Sequence, residues 1–488
     1  MDFNIAEGIS ITNPTLSLVF LVLLMLISMK YPEKILALFA VGSYFLFGGI
    51  KLSPSLGPLN HHVANYAVIF LILGLIWQIS RRKILLKRRL FWNGLSICYL
   101  IYILFSFLSW AIVKNYPLNN GRWYLWTRLM SEFLPFWGLL LVASDRNLFL
   151  SHIKTVTIIL VSITVLNGIQ IGLAIKSEIS TDNLRYLTTF NKDFYLYGSS
   201  FIGIVLALFA FANYDKTHRL NHRFIGLFVM FLAYLAVLVG QTRIFVFSAI
   251  IVPLYVLIRK RSFQSKNGVA IVAIFAILLA FILKEILWPS LAYPTIISNR
   301  VDEIGTRFIR SFQNASSDPN IIGRFESWRY AWESFRESPI IGVGLSNAGM
   351  PMVFYDQTGT KPILARSDVH NVYLRDLAEL GLIGFLPFVA FLVLLFRLMR
   401  QNSKCICLKS PYSGLSVFAN AVVILSLISG LSGQSYTLFW AAALVMVIHE
   451  WAKRDEVWAG QSQPSLMVQA RTSFGSAPTK AKQLNPVR

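Results

Sequence analysis

The sequence predicts an all-α integral membrane protein with about 12–14 transmembrane helices and one large extracytoplasmic loop. Three observations predict it. First, 55% of the 488 residues are hydrophobic and only 14% are charged, with a mean hydropathy of +0.59. A soluble domain carries about 25% charged residues. Second, apolar stretches long enough to cross a bilayer as helices recur along the chain. Third, clusters of basic residues sit on alternate connections between those stretches, the arrangement expected of cytoplasmic loops.

The candidate spans, in order, are 15–29, 34–50, 63–80, 91–113, 127–143, 155–175, 197–213, 224–240, 244–258, 269–287, 380–399, 413–430 and 436–450. Shorter ones among them are open to being re-entrant or merged. The basic clusters are Arg81-Arg82-Lys83 with Lys87-Arg88-Arg89, Lys216 with Arg219 and Arg223, Arg259-Lys260-Arg261 with Lys266, and Arg397, Arg400, Lys404 and Lys409. A net charge of +22 would suit a nucleic-acid partner if it lay on one face. Its spacing between apolar spans instead points to membrane topology and anionic lipid, with no nucleic acid.

Counting from the basic loops places the N-terminus outside, the C-terminal tail inside and the segment 288–379 outside. The organisation is therefore a multi-spanning region over 1–287, a large loop over 288–379, C-terminal membrane helices over 380–454, and a tail over 455–488. That tail is rich in Gln, Ser, Pro and Lys and reads as disordered. The first span lacks a basic leader and a small-residue cleavage site, so it is read as a helix and not as a signal peptide. Cys98 lies in a span, and Cys405-Ile406-Cys407 has spacing that suits neither a redox pair nor a zinc clip.

Two helices are expected within the loop. From Gly323 to Glu337 the aromatics Phe325, Trp328, Trp332 and Phe335 recur at spacings of three and four and so share a face. Glu326, Arg329, Glu333 and Arg336 supply ion pairs on the other side, and Pro339 stops the helix. Such a helix suits the membrane interface. A second helix is expected from Ser367 or Asp368, either of which can cap it, through His370, Leu374 and Leu377 on one face towards Gly381. Gly342-Val343-Gly344-Leu345-Ser346-Asn347 between them must be a turn that allows close backbone approach.

The chemistry concentrates in that loop. His370 is its only histidine, and imidazole is the side chain that exchanges a proton near neutral pH. Asn371, Tyr373, Arg366 and Asp368 surround it in sequence. The loop also holds eight arginines, Arg324 and Arg366 among them, but one lysine, Lys361. Guanidinium grips phosphate oxygens as a fork, whereas ammonium is a hydrated point charge. The bland alternative is that Arg329, Arg336 and Arg375 pair with the loop's own acids. Arg243, in Gly240-Gln241-Thr242-Arg243 between two spans, is an interfacial charge and hence a functional candidate, with snorkelling from a helix end as its competitor. His61, His62, His152, His218, His222 and His449 carry no such pattern. A phosphate loop, an HExxH motif and a zinc-spaced Cys/His set are all missing from the sequence, so no metal or cofactor is expected.

The run Pro339-Ile340-Ile341-Gly342-Val343-Gly344, then His370-Asn371-Val372-Tyr373-Leu374, then Leu377-Ala378-Glu379-Leu380-Gly381-Leu382-Ile383-Gly384 resembles the signature of the O-antigen ligase/polymerase superfamily. Gly323-Arg324-Phe325-Glu326-Ser327-Trp328 and Thr242-Arg243 fit the same pattern in order and spacing. The resemblance covers about 240–400. It departs at Gln241, where the family often has serine or threonine.

The resemblance implies a GT-C-like fold and a metal-independent, inverting glycosyltransferase in the bacterial inner membrane. The implied donor is a glycan on undecaprenyl diphosphate at the periplasmic face. The implied acceptor is lipid A–core for ligases, a second lipid-linked glycan for polymerases of lipopolysaccharide or exopolysaccharide biosynthesis, or a protein hydroxyl. By match to the motif His370 is the catalytic residue and Arg243 and Arg324 bind the diphosphate, to which the loop's charge pattern adds Arg366. Asn371, Tyr373, Gly342 and Gly344 are supporting residues. A transporter or glycan flippase is the main alternative from another class. Against it stands the expectation that acidic residues are absent from the middle of the spans.

Overall fold

The structure, a computed structural model, describes residues 3–4, 8–11, 13–40, 50–52, 63–82, 88–112, 128–176, 228–233, 319–355, 362–405, 413–431 and 437–453, with the single positions 251 and 255. The predicted spans 197–213 and 269–287, nearly all of 244–258, Arg243 and the tail 455–488 lie outside them.

The architecture is helical. Helix α1 (Pro14–Lys30) is capped by the Asn13 side chain, which accepts from the backbone N–H of Thr15 and Leu16. It turns by 101° into α2 (Pro32–Ala40). Pro32 explains the break, because its ring disfavours a helical Tyr31, found at φ −134° and ψ 57°. Helices α3 (Val63–Arg82), α4 (Gly94–Ile112), α5 (Leu134–Val142, led in by a π-helical turn Leu129–Phe133) and α6 (Arg146–Lys176) follow. After them come α7 (Pro319–Glu337), α8 (Val372–Cys405), α9 (Ser413–Gly430) and α10 (438–453). Among the described residues three helices are long and apolar enough to cross a membrane, within α4, α6 and α8, and the bent α1–α2 pair makes a fourth.

Two small sheets join this bundle. Strand β1 (Phe3–Asn4) pairs antiparallel with β2 (Gly8–Ile11), which pairs parallel with β3 (Ile50–Leu52). Of the span predicted over 34–50, residues 34–40 are helical in α2, 41–49 lie outside the described residues, and the end at Ile50 needs correction, since Ile50 is a strand residue. A short apolar run does not by itself distinguish the two. In the large loop β4 (Pro351–Tyr355) pairs antiparallel with β5 (Pro362–Arg366) in the register Pro351 to Arg366. That hairpin was not expected.

Aromatic packing holds the bundle. Tyr99 of α4 meets Phe136 of α5 and Phe439 of α10 at 4.5 Å between ring centroids, and Phe391 of α8 at 5.7 Å. Tyr102 meets Phe388 at 5.2 Å. All of these rings are fully buried, so α4, α5, α8 and α10 share one core. The outer faces of α1, α3, α4 and α8 expose Leu, Ile and Val, as lipid-facing surfaces do. His152 is part of the frame: its Nδ1 lies 2.9 Å from the Glu33 carbonyl, and its Nε2 accepts from Trp440 Nε1 at 3.1 Å. His449 is held likewise, with Nδ1 2.6 Å from Asn402 Oδ1.

Candidate functional site

Helix α8 is two helices joined at Gly381, whose φ of 61° and ψ of −172° are reserved for glycine. In a continuous helix, Leu382 N–H would donate to the Ala378 carbonyl and Ile383 N–H to that of Glu379. The predicted glycine turn inserts between them. Leu382 N–H donates to Pro339 O (2.8 Å) and Ile383 N–H to Ile340 O (3.1 Å). Val343 N–H donates to Ala378 O (2.9 Å) and Gly344 N–H to Glu379 O (3.0 Å). Every group freed by the break finds a partner, which is the condition for irregular backbone at membrane depth.

Closeness dictates the glycines. A Cβ on Gly342, at φ 75°, would lie 2.3 Å from Glu379 O, and one on Gly381 2.4 Å from Ile340 O. Gly344 is at φ 92° and Ser346 at φ 67°. The Glu379 carboxylate secures the turn by accepting from Ser346 N–H at 3.0 Å.

His370 stands at the outer edge of this splice, and its placement differs from the one expected. Helix α8 begins at Val372, not at Ser367 or Asp368, so His370 precedes the helix. Asn371 is the cap, its Oδ1 accepting from Leu374 N–H at 3.1 Å. Asp368 instead closes a short turn by accepting from His370 N–H at 3.2 Å. On one side Val369 is buried with Ala331, Ala348 and Ala378. Further back, Ser367 bonds Met350 through both its N–H and its hydroxyl.

Between these anchors His370 adopts φ 53°, a left-handed conformation unusual for a residue with a side chain. Its imidazole is 44% exposed, with Nδ1 3.3 Å from Asp368 Oδ2. Tyr373 points the other way: it is packed against Gly430, and its hydroxyl donates to Leu427 O at 2.7 Å, tying α8 to α9.

The expected arginines divide. Arg324 is exposed on α7, which packs on the first part of α8 through Ala331, Trp328 and Phe335 against Ala378 and Leu374. Arg366 ends β5 opposite Pro351, four residues before His370. Arg243 lies outside the described residues. Arg329 pairs with Glu333 at 3.7 Å and Arg375 approaches Asp376 at 3.5 Å, the structural roles weighed for them.

Directly beneath the first part of α8 lies a set of charges that the reading of the sequence missed. Asp376 is fully buried; one of its carboxylate oxygens pairs with the Arg128 guanidinium, and the other accepts from the Tyr102 hydroxyl. Arg128 also donates to Ser106 Oγ at 3.1 Å. Glu132 and Glu379 are buried nearby in the same electrostatic neighbourhood. Asp376 and Glu379 precede the expected span 380–399 yet are buried within α8, and Glu132 is buried near the start of the expected span 127–143, so buried acids lie towards the ends of helices and not in the middle of the expected spans. A signal was present, since Arg128 and Glu132 lie four apart in an apolar stretch, where charge is costly.

A family model described as O-antigen ligase matches residues 227–389. The match covers less than half of the chain, and it is this stretch that is similar to the family. A search of curated proteins finds no match. The O-antigen ligase domain contains α7, the glycine turn, the hairpin, His370 and the Gly381 break, whereas Arg128 and Tyr102 precede it. The Arg128–Asp376 pair therefore fastens the matched domain to the helices before it. At the level of the family, the match suggests a ligase- or polymerase-type membrane enzyme with a lipid-linked glycan and an acceptor as partners.

Proposed function

We propose that this protein is a metal-independent, inverting glycosyltransferase that moves or polymerises a glycan from an undecaprenyl-diphosphate donor onto an acceptor hydroxyl at the periplasmic face. The observation that carries the reading is His370, held in a left-handed conformation between a buried Val369 and a capping Asn371 with its ring open. Backbone strain at a side chain with acid–base chemistry is the pattern expected of a working residue.

The acceptor oxygen attacks the anomeric carbon of the donor as the bond from that carbon to the diphosphate oxygen breaks. The acceptor's proton passes to Nε2 of neutral His370. Asp368, beside Nδ1, favours the tautomer that leaves Nε2 unprotonated; its 3.3 Å separation is long for a hydrogen bond, as such contacts often are before substrate binds. Diphosphate is already a good leaving group, so fixed positive charge is the remaining need. Arg324 and Arg366, on the two elements around His370's segment, together with Arg243, are assigned to it.

The buried acids and Arg128 favour a second reading, a transporter or flippase, because intramembrane charges mark coupling-ion sites. Asp376 is occupied by Arg128 and Tyr102, which weighs against it. The two readings separate when the purified protein in detergent, with no ion gradient possible, is given lipid-linked glycan. A new glycosidic linkage supports the enzyme. Unchanged glycan, alongside gradient-driven movement in vesicles, supports the transporter.

A further inference from the structure

From the exposure pattern of α7 we infer that this helix lies in the headgroup zone of the membrane crossed by α8, rolled so that its Phe325–Trp332 flank faces the acyl chains. The inference concerns a docking surface and needs no catalysis.

Successive residues advance by about 100° around a helix, which fixes the order of side chains around α7. Ser327, Ala331 and Ser334 form the seam buried against the protein. Next around the circumference come Trp328 and Phe335, half-buried on the α8 side. Beyond these lie Phe325, 61% exposed, and Trp332, 49% exposed. Arg329 and Arg336 follow, both exposed, and then Glu326 and Glu333. The four aromatics therefore do not form one outward face, as their spacing suggested; two of them are spent on the protein.

Apart from Ile322, exposed between the arginines and the carboxylates, the outward order of aromatic, arginine and then carboxylate repeats that of a bilayer boundary from acyl chain to phosphate to water. Phe325 and Trp332, seven residues apart, leave an aromatic flank bare along one side of the helix, and beside it lie the cations that a phosphate layer attracts.

Continuity with α8 selects lipid as the occupant. The chain leaves α7 through Ser338 and Pro339 and bonds into the Gly381 break by way of Pro339 and Ile340. Ile340 and Ile341 are 60% and 58% exposed, beside the similarly bare Leu382 and Ile383 at the head of α8's apolar section. The end of α7 is therefore fixed at the level where α8's lipid-facing surface begins.

The test uses the full chain with Cys98, Cys405 and Cys407 replaced by serine. Single cysteines are introduced at Phe325, Trp332 or Ile341, and separately at Glu326 or Glu333. Each carries a nitroxide and is reconstituted into vesicles of phosphatidylglycerol and phosphatidylethanolamine. Collision with lipid-soluble oxygen relative to a water-soluble nickel chelate is then measured. The ratio should be severalfold higher at Phe325, Trp332 and Ile341 than at Glu326 and Glu333. Equal nickel access at all five positions would place the helix in water and overturn the inference. Low access to both reagents at Phe325 and Trp332 would also overturn it, by showing that a protein covers that flank. Neither outcome depends on whether the protein transfers glycan.

Discussion

The φ of 53° at His370 is sustained by its neighbours: Val369 is buried, Asp368 accepts the His370 N–H, and Asn371 caps the helix that follows. Asp368 and Asn371 were visible in the sequence as part of a polar constellation around His370, whereas the anchoring role of Val369 was not. The sequence put the cap at Ser367 or Asp368 and passed over Asn371, which takes the role in the structure. Each is a competent acceptor, and the choice falls on Asn371 because the hairpin and Val369 anchor the preceding residues elsewhere. Arg128 and Asp376 show the opposite failure, since the two are far apart in sequence and only the folded bundle joins them. Removing one partner of a buried pair leaves the other charge stranded. Asp376→Ala is expected to destabilise the protein by about 3–5 kcal/mol, seen as a lower unfolding midpoint in detergent. Replacing both residues, as Arg128→Met with Asp376→Leu, should recover most of the loss. A single substitution with wild-type stability would contradict the buried pairing.

At the scale of elements, the interlock of the glycine turn with the broken α8 positions His370's segment on the bundle. The sequence marked the turn through Gly342 and Gly344, and marked helices on either side of Gly381. It did not show that turn and break fill one another, because backbone hydrogen bonding across some forty residues leaves no periodicity. Gly381→Ala tests the interlock without touching a chemical group. Its Cβ would lie 2.5 Å from Gly342 N and 2.4 Å from Ile340 O, on a backbone conformation other residues avoid. The expected cost is at least about 1–3 kcal/mol of stability, with glycan transfer reduced as His370's segment shifts. Unchanged unfolding and unchanged activity would show that the break is not needed. The same logic explains the α1–α2 bend, where Pro32 was plain in the sequence and its effect on Tyr31 follows from sterics.

For the whole molecule, uniform apolar composition made the helices legible where polar residues bound them. The expected spans 91–113 and 413–430 correspond to Gly94–Ile112 and Ser413–Gly430. Ile50 was misread because an apolar run at the edge of a bundle pairs as readily as it coils. The arrangement places a strained, accessible imidazole at the start of a long apolar helix, within the stretch that the O-antigen ligase family model matches, and braces that helix from below by a buried ion pair. In the proposed reaction His370 removes the acceptor's proton. The direct measurement is the rate of glycan transfer from lipid-linked donor by purified wild type and His370→Ala, matched for folded protein. The variant should lose about 10²–10⁴-fold in rate, with the unfolding midpoint unchanged. A His370→Ala protein that transfers glycan at the wild-type rate would contradict the account.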